Sequence, residues 1–234
     1  MQLSVRDAAT LLEVSEKTVY RWARKGEIPF SRVNDQYRFN RVELLEWATA
    51  NRVPVSPMIF SEPEAQGLRL PSLTEALQAG GVFYRIAGRD VPSVLREVVH
   101  HMRLPDEVDR EHLFQVLLAR EALGSTGVGE GIAIPHVRNP IVLHVPRATV
   151  TLCFLETPID FQSLDGKPVN TLFTVISPTV KGHLHLLSRL AFGLRDAGVR
   201  RVLAEQAGRE AILQSFEAVE ASLPAPSGGQ EPVR

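Results

Sequence analysis

The sequence predicts an α/β fold, a mixed sheet sandwiched by helices, joined to a small N-terminal winged helix-turn-helix domain. Two runs, 148–155 and 169–176, are nearly continuous in β-branched, aromatic and other apolar residues, the pattern of strands buried on both faces. Helix-period apolar stretches flank them on both sides, and the short connections between elements call for mixed strand directions. Residues 1–52 carry a separate set of short amphipathic stretches, divided from the rest by prolines at 54, 57 and 63.

In chain order, Ser4 and Asp7 form a capping box ahead of Val5, Ala8, Ala9, Leu11 and Leu12, a first helix that ends at Val14. Ser15 caps a second, in which Val19, Trp22 and Ala23 share one face while Lys17, Arg21, Arg24 and Lys25 occupy the other. Gly26 and Pro29 stop it. Ser31-Arg-Val and Gln36-Tyr-Arg-Phe around Asn34-Asp35 read as a hairpin or wing, and Asn40 with Glu43 opens a third helix through Val42, Leu44, Leu45 and Trp47. Residues 53–71 are then a linker, with Met58, Ile59 and Phe60 suited to docking on a surface.

The second domain is expected over 72–222. One helix carries Val94, Leu95, Val98, Val99 and Met102, and another carries Leu113, Val116, Leu117 and Leu118 and ends near Ala122. Asp165-Gly166 turns the chain between the two strands. A helix from His183 to about Ala197 places Leu184, Leu187, Ala191 and Leu194 on one face and stops at Gly198. A last helical stretch runs from Val199 through Phe216 with a break at Gly208. Residues 223–234 lack periodicity and read as a disordered tail.

The 234 residues are 44% hydrophobic, enough for a cored globular protein, and carry a net charge of −1, so nucleic-acid binding has to come from a local patch. Residues 1–52 hold nine basic against seven acidic side chains, a weak electrostatic argument. The basic face of the second helix is either a solvated surface or a major-groove reader. In the second reading Arg21 and Arg24 contact bases, and Lys17, Lys25 and wing residue Arg38 neutralise phosphates. The single cysteine, Cys153, fits a reducing compartment and reads as a buried small hydrophobe. No leader and no apolar run long enough to cross a bilayer is present, so a cytoplasmic protein with no membrane insertion is expected.

The most informative tract is Gly124-Ser-Thr-Gly-Val-Gly-Glu-Gly-Ile-Ala-Ile-Pro-His136, preceded by Arg120. On spacing alone it is either a glycine-rich turn or an anion site in which amides of Ser125, Thr126, Gly127, Gly129 and Gly131 converge beside an imidazole. Arg120 offers a planar fork suited to two phosphoryl oxygens. Glu121, next to it, faces another direction and reads as a surface carboxylate. His183 and His185 lie two apart on a helix and do not face each other, which argues against a metal pair; no metal and no cofactor is expected.

Two resemblances add to this reading. Residues Leu3 to Pro29, with Tyr37-Arg-Phe and the helix through Trp47, resemble the excisionase and MerR-like winged helix-turn-helix family. That implies double-stranded DNA as a partner and binding as a homodimer or array. Leu118 to His136, Leu155-Glu-Thr-Pro-Ile-Asp-Phe161, Leu164-Asp-Gly-Lys-Pro-Val169, Phe173 and His183-Leu-His-Leu-Leu resemble the nitrogen-regulatory, fructose/mannitol-type EIIA domain of the bacterial phosphoenolpyruvate-dependent sugar phosphotransferase system. The resemblance implies a type-2 EIIA fold and phosphorylation of His136 by an HPr-like carrier protein. Arg120 and His183 are then its site partners, in a phosphotransfer component rather than a free-standing metabolic enzyme. The family usually has glycine after the active histidine. Here Val137 follows, which is expected to alter the loop or narrow access.

Overall fold

The computed structural model describes residues 2–33, 36–51, 53, 55, 70–137 and 145–223. The expected Asn34-Asp35 turn, most of the linker with its Met58-Ile59-Phe60 segment, Arg138 and the tail lie outside these residues.

At the N-terminus β1 (Gln2–Leu3), α1 (Val5–Leu11), α2 (Glu16–Lys25), β2 (Ser31–Val33), β3 (Gln36–Asn40) and α3 (Arg41–Ala50) follow one another. The Ser4/Asp7 capping box forms, Ser15 accepts from the Thr18 amide to start α2, and Gly26 closes α2 in the left-handed region at φ 70°. The three strands form a sheet of order β1-β3-β2, all pairs antiparallel. Leu12, Val19, Ala23, Phe39, Leu44 and Ala48 are buried at its centre. Trp22 and Trp47 pack with ring centroids 5.1 Å apart.

The second part runs α4 (Leu73–Gly80), β4 (Val82–Ile86), α5 (Val91–His101), α6 (Arg110–Ala122), β5 (Gly127–Gly129), β6 (Ile132–Ala133), β7 (Thr149–Ile159), β8 (Val169–Ile176), α7 (Val180–Gly193), α8 (Ala197–Ala204) and α9 (Arg209–Ala221). Its sheet has the order β4-β7-β8-β6-β5. β4 and β7 are parallel, as are β6 and β8, while β7/β8 and β5/β6 are antiparallel, so the sheet is mixed as expected.

Strand alternation sorts the side chains into two layers. Val150, Leu152 and Phe154 of β7, with Phe173 and Val175 of β8, face α4, α7, α8 and α9. Cys153, Leu155, Leu172 and Ile176 face α5 and α6. Burial on both sides is why these strands read as unbroken apolar runs. Cys153 is fully buried, and desolvation pushes its thiol up to about 12, so it is inert at neutral pH.

Three features differ from the sequence expectation. The α4–β4 unit was not anticipated, although Ser72 and Glu75 form a full capping box at its start. The helix beginning near His183 starts earlier, at Val180, and ends at Gly193. Asp196 caps a new helix by accepting from the Val199 amide, which puts Gly198 inside α8 rather than at a terminus. The core face of α7 is Leu186, Leu187 and Leu190, whereas Leu184 turns the other way and packs against the helix-turn-helix core. Leu184 and Ala191 are both half-buried and lie outside that core face.

Gly80 ends α4 directly against β7, and a Cβ there would run into the Val150 carbonyl. Gly80→Ala is expected to cost about 1–3 kcal/mol of stability through overpacking. Gly208→Ala, where a Cβ meets open space but the residue is the N-cap of α9, should cost less, about 0.5–1 kcal/mol from the weaker cap. Urea unfolding of the two variants checks the contrast.

Candidate functional site

The tract leading to His136 folds as a hairpin. Glu130 and Gly131 take φ values of 55° and 76°, the doubly positive turn that suits tightly paired strands, and β5 pairs β6 across it. Ile132, Ala133, Ile134 and Val137 then alternate across the sheet: Ile132 and Ile134 lie in the α7 layer, Ala133 and Val137 in the α5/α6 layer. His136 shares the parity of Ile132 and Ile134 and bridges Val175 in parallel register, which carries its ring toward α7.

There it meets His183, which the first turn of α7 holds in place: the His183 amide donates to the Thr179 carbonyl at 2.9 Å. The two ring centroids are 5.5 Å apart with planes inclined by 44°. His136 is 4% exposed and His183 is fully buried.

His136 Nδ1 lies 2.7 Å from the Ile134 carbonyl oxygen. A carbonyl only accepts, so this bond requires the proton on Nδ1 and leaves the lone pair on Nε2. The backbone two residues upstream therefore selects a nucleophilic tautomer, with no side-chain base needed. Val137 is not among the residues of positive φ and is fully buried in the α5/α6 layer. A glycine-only conformation is not required at this position, and the side chain points away from His136.

Arg120, in the last turn of α6, donates from Nη1 to the Gly124 carbonyl at 3.0 Å and so ties the start of the loop to the helix end. The expected cradle of amides is narrower than the sequence suggested. The Thr126 amide donates to Glu121 Oε1 at 2.8 Å, the Gly127 amide to Ser125 Oγ at 3.0 Å, and Gly127 and Gly129 sit in the β5/β6 ladder. Ser125 Oγ in turn donates to the Phe161 carbonyl.

Glu121 is not a free surface carboxylate. It receives both the amide and the hydroxyl of Thr126, the latter at 2.6 Å, and burial raises its pKa against the opposing pull of those bonds. No periodicity flags a bond that reaches across a helix end into the loop.

His185 faces away from the His136–His183 pair, toward the Pro71 backbone. Desolvation first, then the charges of Arg189 and Lys181, lower its pKa to about 4. The unfolded chain takes up a proton near pH 6.5 and the folded chain only near 4, so stability falls as pH drops through that window, by about 2–3 kcal/mol at pH 4.5. A chain with His185→Gln should lose correspondingly less between pH 7.5 and 4.5 in urea titrations. Among the described residues no group of three His, Cys, Asp or Glu side chains comes together to hold a metal.

On the N-terminal part, Lys17, Arg21, Arg24 and Lys25 are all exposed along α2. Lys25 lies 3.5 Å from Glu27. Arg38 is half-buried and donates to Gln36 Oε1 at 2.6 Å. Arg32, overlooked in the sequence, stands 5.1 Å over the Tyr37 ring beside exposed Phe30. It is a second cation on the wing, and the Ser31-Arg-Val strand pattern was the signal for it.

The two parts touch: α3 lies against α7 and β5, and Leu184, the residue after His183, packs against the helix-turn-helix core.

Residues 75–219 match the family model described as phosphoenolpyruvate-dependent sugar phosphotransferase system, EIIA 2. Residues 3–52 match that of a helix-turn-helix domain. The chain is 38% identical over 153 residues to a nitrogen regulatory protein of Pseudomonas aeruginosa, covering 61% of this chain and 92% of that one. It is 41% identical over 112 residues to the nitrogen regulatory protein of Escherichia coli K12, covering 47% of this chain and 65% of that one. Among solved structures, nitrogen regulatory protein IIA-Ntr from Neisseria meningitidis superimposes with a TM-score of 0.51 at 28% identity, covering 58% of this chain and 92% of that one. No helix among the described residues is long and apolar enough to cross a membrane.

Proposed function

The chain belongs to the EIIA type-2 family of the phosphoenolpyruvate-dependent sugar phosphotransferase system, and from that premise we propose that it is a phosphoryl-accepting regulator. In this reading an HPr-like carrier phosphorylates His136, and the phosphorylation state sets how the helix-turn-helix module engages DNA. The observation that carries it is the His136–His183 pair with the His136 proton held on Nδ1.

The chemistry follows from that tautomer. The Nε2 lone pair attacks the phosphorus of the donor. As the Nε2–P bond forms, the bond from phosphorus to the carrier breaks and its electron pair leaves with the carrier. Nδ1–H stays on the Ile134 carbonyl and stabilises the cationic ring that results. His183, in the first turn of α7, lies where the positive end of the helix and an imidazole donor meet charge on the equatorial oxygens. Arg120 is the proposed cation at the loop's other end, re-pairing from the Gly124 carbonyl to the phosphoryl group.

Burial argues for coupling. With His136 4% exposed, transfer requires the packing around its ring to open; that ring lies against His183 of α7, and α7 also carries Leu184 against the helix-turn-helix core. A phosphoryl group adds about −1.5 to −2 charges beside that helix and biases the contact between the modules. On DNA, α2 enters the major groove with Arg21 and Arg24 on bases, and Lys17, Lys25 and Arg38 on phosphates, in a homodimer.

The test is incubation of the full chain with phosphoenolpyruvate, the general phosphotransferase enzyme and an HPr-like carrier, followed by DNA titration of both forms. An acid-labile label and different DNA affinities are expected. A label with identical affinities would instead make the chain a phosphocarrier whose N-terminal module serves protein contact. No label would leave a DNA-binding protein with an inactive EIIA-like domain.

A further inference from the structure

The chain that leads into His136 is held from two sides. From β8, the Val175 amide donates to the Pro135 carbonyl at 3.3 Å. On the other side lies β5, an edge strand of three residues. Gly127 pairs with Ala133 in antiparallel register, which sets Thr126 opposite Ile134. The Ile134 amide donates to the Thr126 carbonyl at 3.0 Å. A residue pair of this kind ordinarily exchanges two bonds, so the regular partner of the Ile134 carbonyl is the Thr126 amide.

That second bond is replaced. The Thr126 amide turns instead to Glu121 Oε1 at 2.8 Å, and the Thr126 hydroxyl donates to Glu121 Oε2 at 2.6 Å. The Ile134 carbonyl accepts from His136 Nδ1 at 2.7 Å. Thr126 is buried, so an amide withdrawn from the ladder needs a partner within the protein. A carboxylate is a costly choice at this place. Glu121 stands in the last turn of α6, the negative end of the helix, and burial disfavours its charged form. Both of its oxygens are nevertheless used on Thr126, the one residue whose amide has to leave the ladder.

We propose that Glu121 is a positioning residue for phosphoryl acceptance: by holding the Thr126 amide it reserves the Ile134 carbonyl for the imidazole, which keeps the proton on Nδ1 and the lone pair on Nε2. It acts through backbone, one bond diverted and one preserved. An amide returned to the ladder would share the Ile134 oxygen from within the sheet, leaving a weaker acceptor for a ring that lies toward α7. The inference rests on the reading of His136 as phosphoryl acceptor. Glutamine at position 121 retains a carbonyl oxygen for the Thr126 amide, whereas leucine fills a similar volume with no acceptor.

The experiment uses the full chain with isotope-labelled histidine, as wild type, Glu121→Gln, Glu121→Leu and Glu121→Ala. Nitrogen NMR of the unphosphorylated protein reads the His136 tautomer, its signals assigned by their loss in His136→Ala. Labelling through the HPr-like carrier reads the rate. Wild type and Glu121→Gln are expected to hold the proton on Nδ1, with Glu121→Gln labelling within about threefold of wild type. Glu121→Leu and Glu121→Ala should gain a clear Nε2–H population. Their rate at saturating carrier should fall about tenfold with the KM for carrier unchanged, the pattern of an interaction that matters in the transition state and not in binding. A purely structural anchor would lower the urea midpoint and leave tautomer and rate alone. An undiminished Nδ1–H tautomer in a folded acceptor-free variant overturns the proposal, as does Glu121→Gln behaving like Glu121→Leu. Leucine and alanine are independent routes to the acceptor-free site, and circular dichroism reports whether each folds; unfolding of both makes Glu121 a stability anchor and likewise overturns the proposal. Absence of label in wild type would sink the phosphoryl reading, while the tautomer measurement still decides what Glu121 does.

Discussion

Full-length protein carrying His136→Ala is expected to take no phosphoryl label from phosphoenolpyruvate through the carrier system, a fall of at least about a hundredfold in labelling rate. The side chain supplies the attacking atom, and the nearest imidazole cannot replace it. His183 is fully buried and belongs to the first turn of α7, with its ring centroid 5.5 Å from that of His136. His183→Ala should behave differently: label still appears on His136, but about ten to a hundred times more slowly, because a donor to the equatorial oxygens is gone while the nucleophile stays. Label that persists in His136→Ala, or a rate unchanged in His183→Ala, would remove the respective role. Far-UV circular dichroism and a urea unfolding curve like those of wild type serve as the check that both variants are folded.

The second large effect concerns DNA. Arg21→Ala with Arg24→Ala is expected to weaken binding to a duplex selected from random-sequence DNA by at least about thirtyfold, since each base-edge contact is worth about 1–3 kcal/mol. Preference for the selected sequence over random duplex should fall with it. Lys17→Ala should act in another way, lowering affinity for both duplexes alike and reducing the slope of log affinity against log salt by about one. Both arginines are exposed on the outer face of α2, so neither change disturbs the core around Val19 and Ala23. An affinity unchanged in the double variant would take α2 out of the groove.

Much of the architecture was legible because it rests on local chemistry. Ser4, Ser15 and Gly26 announce the helix ends that they form. The apolar runs of β7 and β8 announce a sheet covered on both faces. β4 escaped notice because Phe83, Tyr84 and Arg85 make a mostly half-buried to exposed edge strand with no clean alternation. At the site, glycines and prolines marked the tract but not what its amides do. The Glu121–Thr126 bonds and the Nδ1 contact to the Ile134 carbonyl depend on how a helix end and a hairpin meet, and no spacing rule encodes that. The residue after His136 is instructive in the same way. Val137 adjoins the histidine in sequence, yet adjacent positions on a strand point to opposite layers, and its side chain packs in the α5/α6 layer.

That alternation makes the tract from Ile132 to His136 intolerant of insertion or deletion while leaving it open to substitution. One residue more or fewer would rotate the imidazole into the α5/α6 layer and bring an apolar neighbour to face His183. Drift in this protein is therefore constrained at this segment by its length before its composition: isoleucine can exchange with valine there, but the number of residues between the Gly131 turn and the histidine cannot change.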